Sequence, residues 1–284
     1  MGYLHIDNLY KNVDVLAFKE VYVLEKIHGT SAHIGWKVEE KLNFFSGGEK
    51  HENFVKLFDE AMLRAKFLEG GLRDATIYGE AYGGKQQGMR DTYGDKLRFV
   101  AFDVCIGDRW LSVPQAEGFC QSMGIEFVDY VKVAAETTLV NFYRDADSTQ
   151  AIRNGMGPGK KREGIVIRPP FEVTTNNGKR LIAKHKRDEF KETSTPRTVD
   201  AAKLQVLEDA KAIASEWVTE MRLSHVLDKL SPPACDVSDT RRVIEVMLED
   251  VSRESEGEVK WSPEVNKSVG TRAAAMFKRR ISKI

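Results

Sequence analysis

The sequence predicts an α+β fold followed by a small all-helical domain, and three features point there. From Val21 to about Val133 the apolar residues fall mostly in short, strand-like runs. Two more short strands, 164–168 and 181–186, follow a glycine-rich loop. Beyond Ser194-Thr195-Pro196 the apolar spacing becomes helical. The boundary is expected near 192–202, separating residues 1–195 from 200–284.

Residues 1–20 read as a lead-in of mixed polarity. Strands 31–37 and 42–46 flank the polar Val38-Glu39-Glu40-Lys41, the pattern of a hairpin. Phe54, Leu57, Phe58, Ala61, Met62 and Ala65 recur at helical spacing, so 53–66 is expected as one amphipathic helix. Residues 75–78 and 97–104 return to strand character, Pro114 opens a short helix that ends before Gly124, and 126–133 reads as another strand. The loop 155–162, Gly-Met-Gly-Pro-Gly-Lys-Lys-Arg, fits a solvated linker or a phosphate-facing flap. In the C-terminal part, Leu204, Leu207, Ile213, Trp217 and Met221 form one helical stripe ending before Pro232-Pro233. Val243, Val246, Met247 and Val251 mark a second helix after Asp239. Ser262-Pro263 is the N-cap and first turn of a third.

At 284 residues the chain is long enough for one large domain or two ordinary ones. Lys plus Arg equals Asp plus Glu at 43 each, so net charge gives no steer towards nucleic acid, although a balanced total can hide a local basic groove. Cys105, Cys120 and Cys235 are widely spaced and odd in number, which excludes a disulfide framework or zinc spacing built from them. No signal-like start and no bilayer-spanning run is visible, so a soluble, cytoplasmic protein without a membrane partner is expected.

The chemistry is concentrated around Glu25-Lys26-Ile27-His28-Gly29-Thr30-Ser31, directly after the apolar Val21-Tyr22-Val23-Leu24. A lysine at a strand end beside a glycine turn can be held still with its amine facing a pocket. When desolvated or crowded by cations, such an amine loses its proton more easily and can attack phosphorus. On its own, Lys-x-His-Gly also fits an ordinary strand-end turn. Four further segments stand beside it. Tyr78-Gly79-Glu80 ends a strand with a carboxylate able to accept from a ribose hydroxyl. In Phe99-Val100-Ala101-Phe102-Asp103, alternation places Phe99, Ala101 and Asp103 on one face and Phe102 on the other, as a platform for a purine. Glu163 stands at the entrance of a buried strand, where it can hold a hydrated divalent cation. Lys184 and Lys186 lie two apart in a strand and so share a face, which is costly unless an anion meets them.

In this order the segments resemble the covalent nucleotidyltransferase superfamily of polynucleotide ligases and capping enzymes. The RNA ligase 2 class, with its bacteriophage nick-sealing and trypanosome editing ligases, is the best match. Glu-Lys-Ile-His-Gly-Thr is similar to that class's nucleophile motif, with His28 where DNA ligases and capping enzymes usually carry Asp. Gly79-Glu80, Phe102-Asp103, Glu163-Gly164-Ile165-Val166 and Ala183-Lys184-His185-Lys186 resemble the later motifs, over roughly residues 20–190. The resemblance implies an adenylyltransferase domain of antiparallel sheets with flanking helices. It implies Lys26 as nucleophile, with His28, Lys184 and Lys186 in the catalytic set. The nucleotide contacts implied are Glu25, Ile27, Ser31, Glu80 for the ribose, Phe102 for adenine, Glu163, Lys184 and Lys186, with Glu163 also positioning Mg²⁺ (or Mn²⁺). The implied reaction is ATP-dependent. Lys26 takes AMP, passes it to an RNA 5′-phosphate, and a 3′-hydroxyl then displaces it, with His28 mattering most after lysyl-AMP has formed.

Two departures stand out. Ser31 replaces the asparagine common in the class, and Ser46-Gly47-Gly48 lacks an arginine found after a serine in many members; Lys50, His51 or Arg90 are possible substitutes. A DNA ligase or capping enzyme would share the core but usually continues into a β-rich barrel, where this chain has helical periodicity. The short segment before Lys26 favours ATP over NAD. An inactive RNA-binding protein of the same fold is the alternative of a different class. The expected substrate is RNA carrying 3′-hydroxyl and 5′-phosphate ends, as a nicked duplex, and the expected state is a monomer. Arg241, Arg242, Lys278, Arg279 and Arg280 of the helical part are candidate phosphate contacts.

Overall fold

In the computed structural model, residues 2–37, 42–175, 178–191 and 210–282 are described. The hairpin tip 38–41, the break at Ser194-Thr195-Pro196, the expected boundary at 192–202 and the stripe residues Leu204 and Leu207 lie outside these residues. The chain divides into two compact units, Met1–Arg187 and Asp188–Ile284.

The first unit runs β1 (Asp7–Asn8), β2 (Glu20–Lys26), β3 (Thr30–Lys37), β4 (Asn43–Ser46), α1 (His51–Val55), α2 (Glu60–Glu69), β5 (Asp74–Tyr82), α3 (Arg90–Tyr93), β6 (Arg98–Ile106), β7 (Arg109–Trp110), α4 (Val113–Ser122), β8 (Tyr130–Ala134), α5 (Thr137–Asp145), α6 (Thr149–Arg153), β9 (Gly164–Arg168) and β10 (Ala183–Lys186). The strands form two sheets, in the orders β1-β10-β9-β2-β8 and β4-β3-β5-β6-β7. All pairings are antiparallel except that of β1 with β10. The α+β reading of the sequence therefore stands.

One face of the second sheet is the main core. Ile34, Trp36, Ile77, Val104 and Phe44 pack against Phe54 of α1, Leu63 and Phe67 of α2, and Cys120 of α4. Trp36 and Phe67 stack nearly parallel, with centroids 5.4 Å apart. The first sheet is tied to the second by charge: Asp103 of β6 accepts from Arg168 of β9 at 2.9 Å and from Arg180 at 2.7 Å.

The single helix expected over 53–66 is two. Asp59 accepts from the Met62 amide and caps α2, because a short carboxylate satisfies an orphan N–H better than a continuing helix does. The stripe breaks with it: Phe54 is buried and Phe58 half-buried, but Leu57, Ala61, Met62 and Ala65 are exposed, and Leu63 and Phe67 turn inward instead. The expected strand 126–133 is replaced by the shorter Tyr130–Ala134; Glu126 to Val128 bond instead to the Ala101 backbone.

The second unit contains α7 (Ala210–Trp217), α8 (Glu220–Lys229), α9 (Thr240–Glu254) and α10 (Pro263–Ile281). Its core holds Ile213, Trp217, Val243, Met247, Val251 and Phe277. The first expected helix is again split, where Thr219 accepts from the Arg222 amide and caps α8. Ser262 caps α10 as its sequence position predicts, accepting from the Val265 amide. No helix among the described residues is long and apolar enough to cross a membrane.

Candidate functional site

Register builds the site. In the first sheet, Lys26 of β2, Gly164 of β9 and Lys186 of β10 are Cα partners in one row across three strands. Partners in a row share a face, and Gly164 places no side chain between the two lysines. That glycine is required twice over. Its φ is +155°, and a Cβ there would lie 2.3 Å from the His185 carbonyl oxygen and 2.7 Å from the Lys186 Cα. Lys184, two residues before Lys186 on the same face, is half-buried and stands in the next row with Val166 and Leu24.

Glu163 fills the space above the glycine. Its Oε2 accepts from Lys26 Nζ at 2.9 Å and lies 3.2 Å from His28 Nδ1, and its Oε1 lies 3.0 Å from Lys186 Nζ. The carboxylate is 2 % exposed, whereas the Lys26 side chain is 23 % exposed and so reaches solvent. Burial alone would raise the Glu163 pKa. The charges of Lys186, Lys26 and His28 more than offset it and hold the group well below the usual carboxylate range. Lys26 is thus joined to Lys186 through a carboxylate rather than crowded directly by cations.

The second sheet supplies the opposite side. Glu80 of β5 is half-buried and its Oε1 accepts the Gly29 amide at 3.1 Å. Burial pushes its pKa up to about 7; Lys26 pulls down, the Glu163 charge pushes up, and the Gly29 N–H pulls down. Gly29 allows this approach, and Gly79 lets β6 close on β5 beside it. A Cβ on Gly29 would meet the Ala81 carbonyl oxygen at 2.4 Å, and one on Gly79 would meet that of Val100 at 2.3 Å. Ser31 is exposed and is the register partner of Glu80.

Other expected contacts behave differently. Glu25 points away from Lys26, as alternation along β2 requires, and its carboxylate accepts from Ser148 Oγ at 2.5 Å and the Gln150 amide at 3.1 Å. It anchors the start of α6. Ile27 is 4 % exposed and belongs to the core. Phe102 is half-buried, but the simple alternation expected for its strand fails. Tyr78 pairs with Asp103 and Gly79 with Ala101, so Phe102 is the extra residue of a β-bulge and shares the Glu80 side with Asp103. Phe99 instead packs on Phe54 and Phe58 in the core.

Sequence reasoning missed several parts. Tyr93 OH accepts the His28 amide at 3.3 Å. Tyr3 donates to Asp103 at 2.7 Å, and its ring meets Phe102 edge-on at 4.9 Å. Arg168 and Arg180 neutralise the fully buried Asp103. The only signal for them was an arginine ending the apolar strand Gly164–Arg168. The loop 155–162 is pinned to the chain before α6: the Lys160 carbonyl accepts from the Ser148 amide, and buried Arg162 donates to the Asp147 carbonyl. Of the substitutes for the missing arginine, Arg90 pairs with Asp95 at the surface and Lys50 and His51 are exposed.

For a divalent ion, no three His, Cys, Asp or Glu side chains converge among the described residues. Mg²⁺ ordinarily takes one or two carboxylates, with phosphate oxygens and water completing its shell. Glu163 and Glu80 are the carboxylates beside Lys26, and they fit that smaller demand.

A family model described as RNA ligase matches residues 19–186. Solved structures of the RNA ligase of Naegleria gruberi are similar in fold. A variant with AMP and Mn has 12 % identity and a TM-score of 0.51, covering 67 % of this chain and 57 % of that one. A variant with ATP and Mn has 13 % identity and a TM-score of 0.52, covering 67 % and 56 %. A variant without ligand has 14 % identity and a TM-score of 0.51, covering 66 % and 55 %. The match thus spans little more than half of those chains. No curated protein sequence matches.

Proposed function

Because this chain belongs to the RNA ligase family, we propose that it seals RNA ends with ATP by carrying AMP on Lys26. The observation that carries this reading is the convergence of Lys26, His28 and Lys186 on the buried Glu163, with the Lys26 side chain partly exposed.

In the first step Lys26 Nζ, freed of its proton, bonds to the α-phosphorus of ATP as pyrophosphate leaves. The Nζ–P bond then breaks as the RNA 5′-phosphate takes AMP. Finally a 3′-hydroxyl attacks that phosphate, forming the phosphodiester and releasing AMP. Each step moves negative charge at an in-line phosphoryl centre, so fixed cations are the main catalytic demand. Lys186 and Lys184 meet it from one strand face. Glu163 holds the amine in line until phosphate competes for its cations. Glu80 accepts from the ribose, and Phe102 stacks on adenine. Glu163, with Glu80, would hold Mg²⁺ or Mn²⁺, which when bound neutralises phosphate charge.

We assign residues 1–195 to adenylylation and 200–284 to holding RNA around the break, in a cytoplasmic monomer. In the helical unit Arg241 is paired with Glu245, and Arg242 with Asp239, leaving Lys278 and Arg279 as the better phosphate contacts. The test is a panel of 5′-phosphate/3′-hydroxyl breaks, nicked or single-stranded, with RNA or DNA on each side. Sealing of nicked duplexes with RNA at the 3′-hydroxyl side is expected. Failure on every RNA break would overturn the reading.

A further inference from the structure

The face of the second sheet that carries Glu80 continues away from Lys26 as an aromatic row. Ser31 and Glu80 are partners across β3 and β5. Two residues further along each strand, His33 and Tyr78 are partners, and Phe45 of β4 stands opposite His33. Residues two apart share a face, so Phe45, His33 and Tyr78 lie beside the Ser31–Glu80 row on the same wall.

The rings are layered. Phe45 and His33 are stacked, with centroids 5.0 Å apart and planes 22° apart, and His33 leans on Tyr78 at 5.6 Å. His33 is 5 % exposed and Phe45 is 45 % exposed on an edge strand. Burial holds His33 down at a pKa of about 4, so at pH 7 it backs Phe45 as a neutral ring. Phe45 is therefore a flat apolar surface with one side packed and the other open. That shape and chemistry suit a nucleobase, which offers a π-face whatever its identity. Phe102 lies three strands away in the same sheet, roughly 14 Å at ordinary strand spacing, so this row is separate from the platform assigned to adenine. The next residues, Ser46-Gly47-Gly48, carry no cation.

We propose that Phe45, stacked on His33, is a second base platform on which a nucleobase of the RNA substrate beside the break stacks. This rests on the RNA ligase reading, and it makes part of RNA affinity independent of salt.

The experiment uses the full chain and a labelled 5′-phosphorylated RNA oligonucleotide, with binding followed by anisotropy and lysyl-AMP formation followed in parallel. Phe45→Ala should leave adduct yield unchanged and weaken RNA binding by about 5- to 150-fold, the range for losing one stacked base. The slope of log Kd against log salt should stay the same, since no phosphate contact is lost. Phe45→Trp should bind like the parent, with its indole fluorescence quenched by RNA. One abasic nucleotide near the break should reproduce the loss in the parent and add nothing in Phe45→Ala. Parent-like binding by Phe45→Ala, or an abasic penalty equally large in both proteins, would overturn the proposal. Absence of adduct in the parent itself would count against the ligase reading, while the RNA titration would still decide the platform.

Discussion

Glu163 in the first unit and Asp250 in the second are both buried carboxylates that gather cations. Asp250 accepts from Arg222 at 2.5 Å, Lys229 at 2.6 Å and Arg253 at 2.7 Å. The deepest partner, Arg222, is also fixed by the Trp217 carbonyl, while Lys229 and Arg253 lie at the surface. This cluster staples α8 to α9. A guanidinium cannot give up its proton, and Lys229 shares Asp250 with two guanidiniums rather than with a second lysine and a histidine. Around Glu163 the partners are two lysines and a histidine at strand ends, lined up over a glycine and open to solvent through Lys26. A buried ion cluster alone does not mark chemistry. The residue types that share the carboxylate, and the strand row that lines them up, do.

Substitutions can break or sharpen that contrast. Glu163→Gln should lower adduct formation by at least about a hundredfold, the scale for losing one preorganised charge at a phosphoryl centre. Asp250→Asn should leave adduct per folded molecule unchanged yet cost stability, up to about 3–5 kcal/mol for a broken buried pair; urea unfolding beside labelled-ATP incorporation separates the two effects. Gly164→Ala should lose both, with stability down by about 1–3 kcal/mol for forced overpacking. Here the new methyl must push β9 from β10 and carry Lys186 away from Lys26.

A milder effect is expected at Glu80. Its pKa of about 7 is raised by burial above the ordinary carboxylate value of 4.5, so the folded state holds this proton more tightly than the unfolded one. The benefit is complete below about pH 4.5 and is lost as pH rises to about 7, worth about 3 kcal/mol. Relative to the parent, Glu80→Gln should therefore gain stability above pH 7. Only the ionised carboxylate is purely an acceptor. The parent-to-variant ratio of adduct rates should accordingly rise about tenfold from pH 6 to pH 8, and a flat ratio would remove the ribose role. Smallest of all, Arg241→Glu at its exposed pair should change sealing less than twofold, whereas Lys278→Glu should weaken it several-fold in low salt.

Much of the site was legible because its residues are local signals. Lys26 beside His28-Gly29, Glu80 after Gly79, and the alternating Lys184 and Lys186 each carry their message within a few positions. What joins them is register, and Gly164 as the spacer between Lys26 and Lys186 shows only when three strands are aligned. The Asp103–Arg168–Arg180 clamp was hidden for the same reason, its members being 65 and 77 residues apart. Glu25 illustrates a subtler loss, since only alternation along β2 shows that its carboxylate turns towards Ser148 rather than alongside Lys26. Helices α5 and α6 went unread because Thr, Val, Phe and Tyr in 137–143 favour strands locally, and tertiary packing decided otherwise. The broken helices at Asp59 and Thr219 show capping side chains overruling apolar periodicity.

The most direct measurement is to incubate the protein with ATP and Mg²⁺, digest it, and map any covalent AMP by mass spectrometry. AMP on Lys26, and none on any peptide of Lys26→Ala, is the expected result. An equal yield of adduct in Lys26→Ala, or AMP on a different residue, would contradict it.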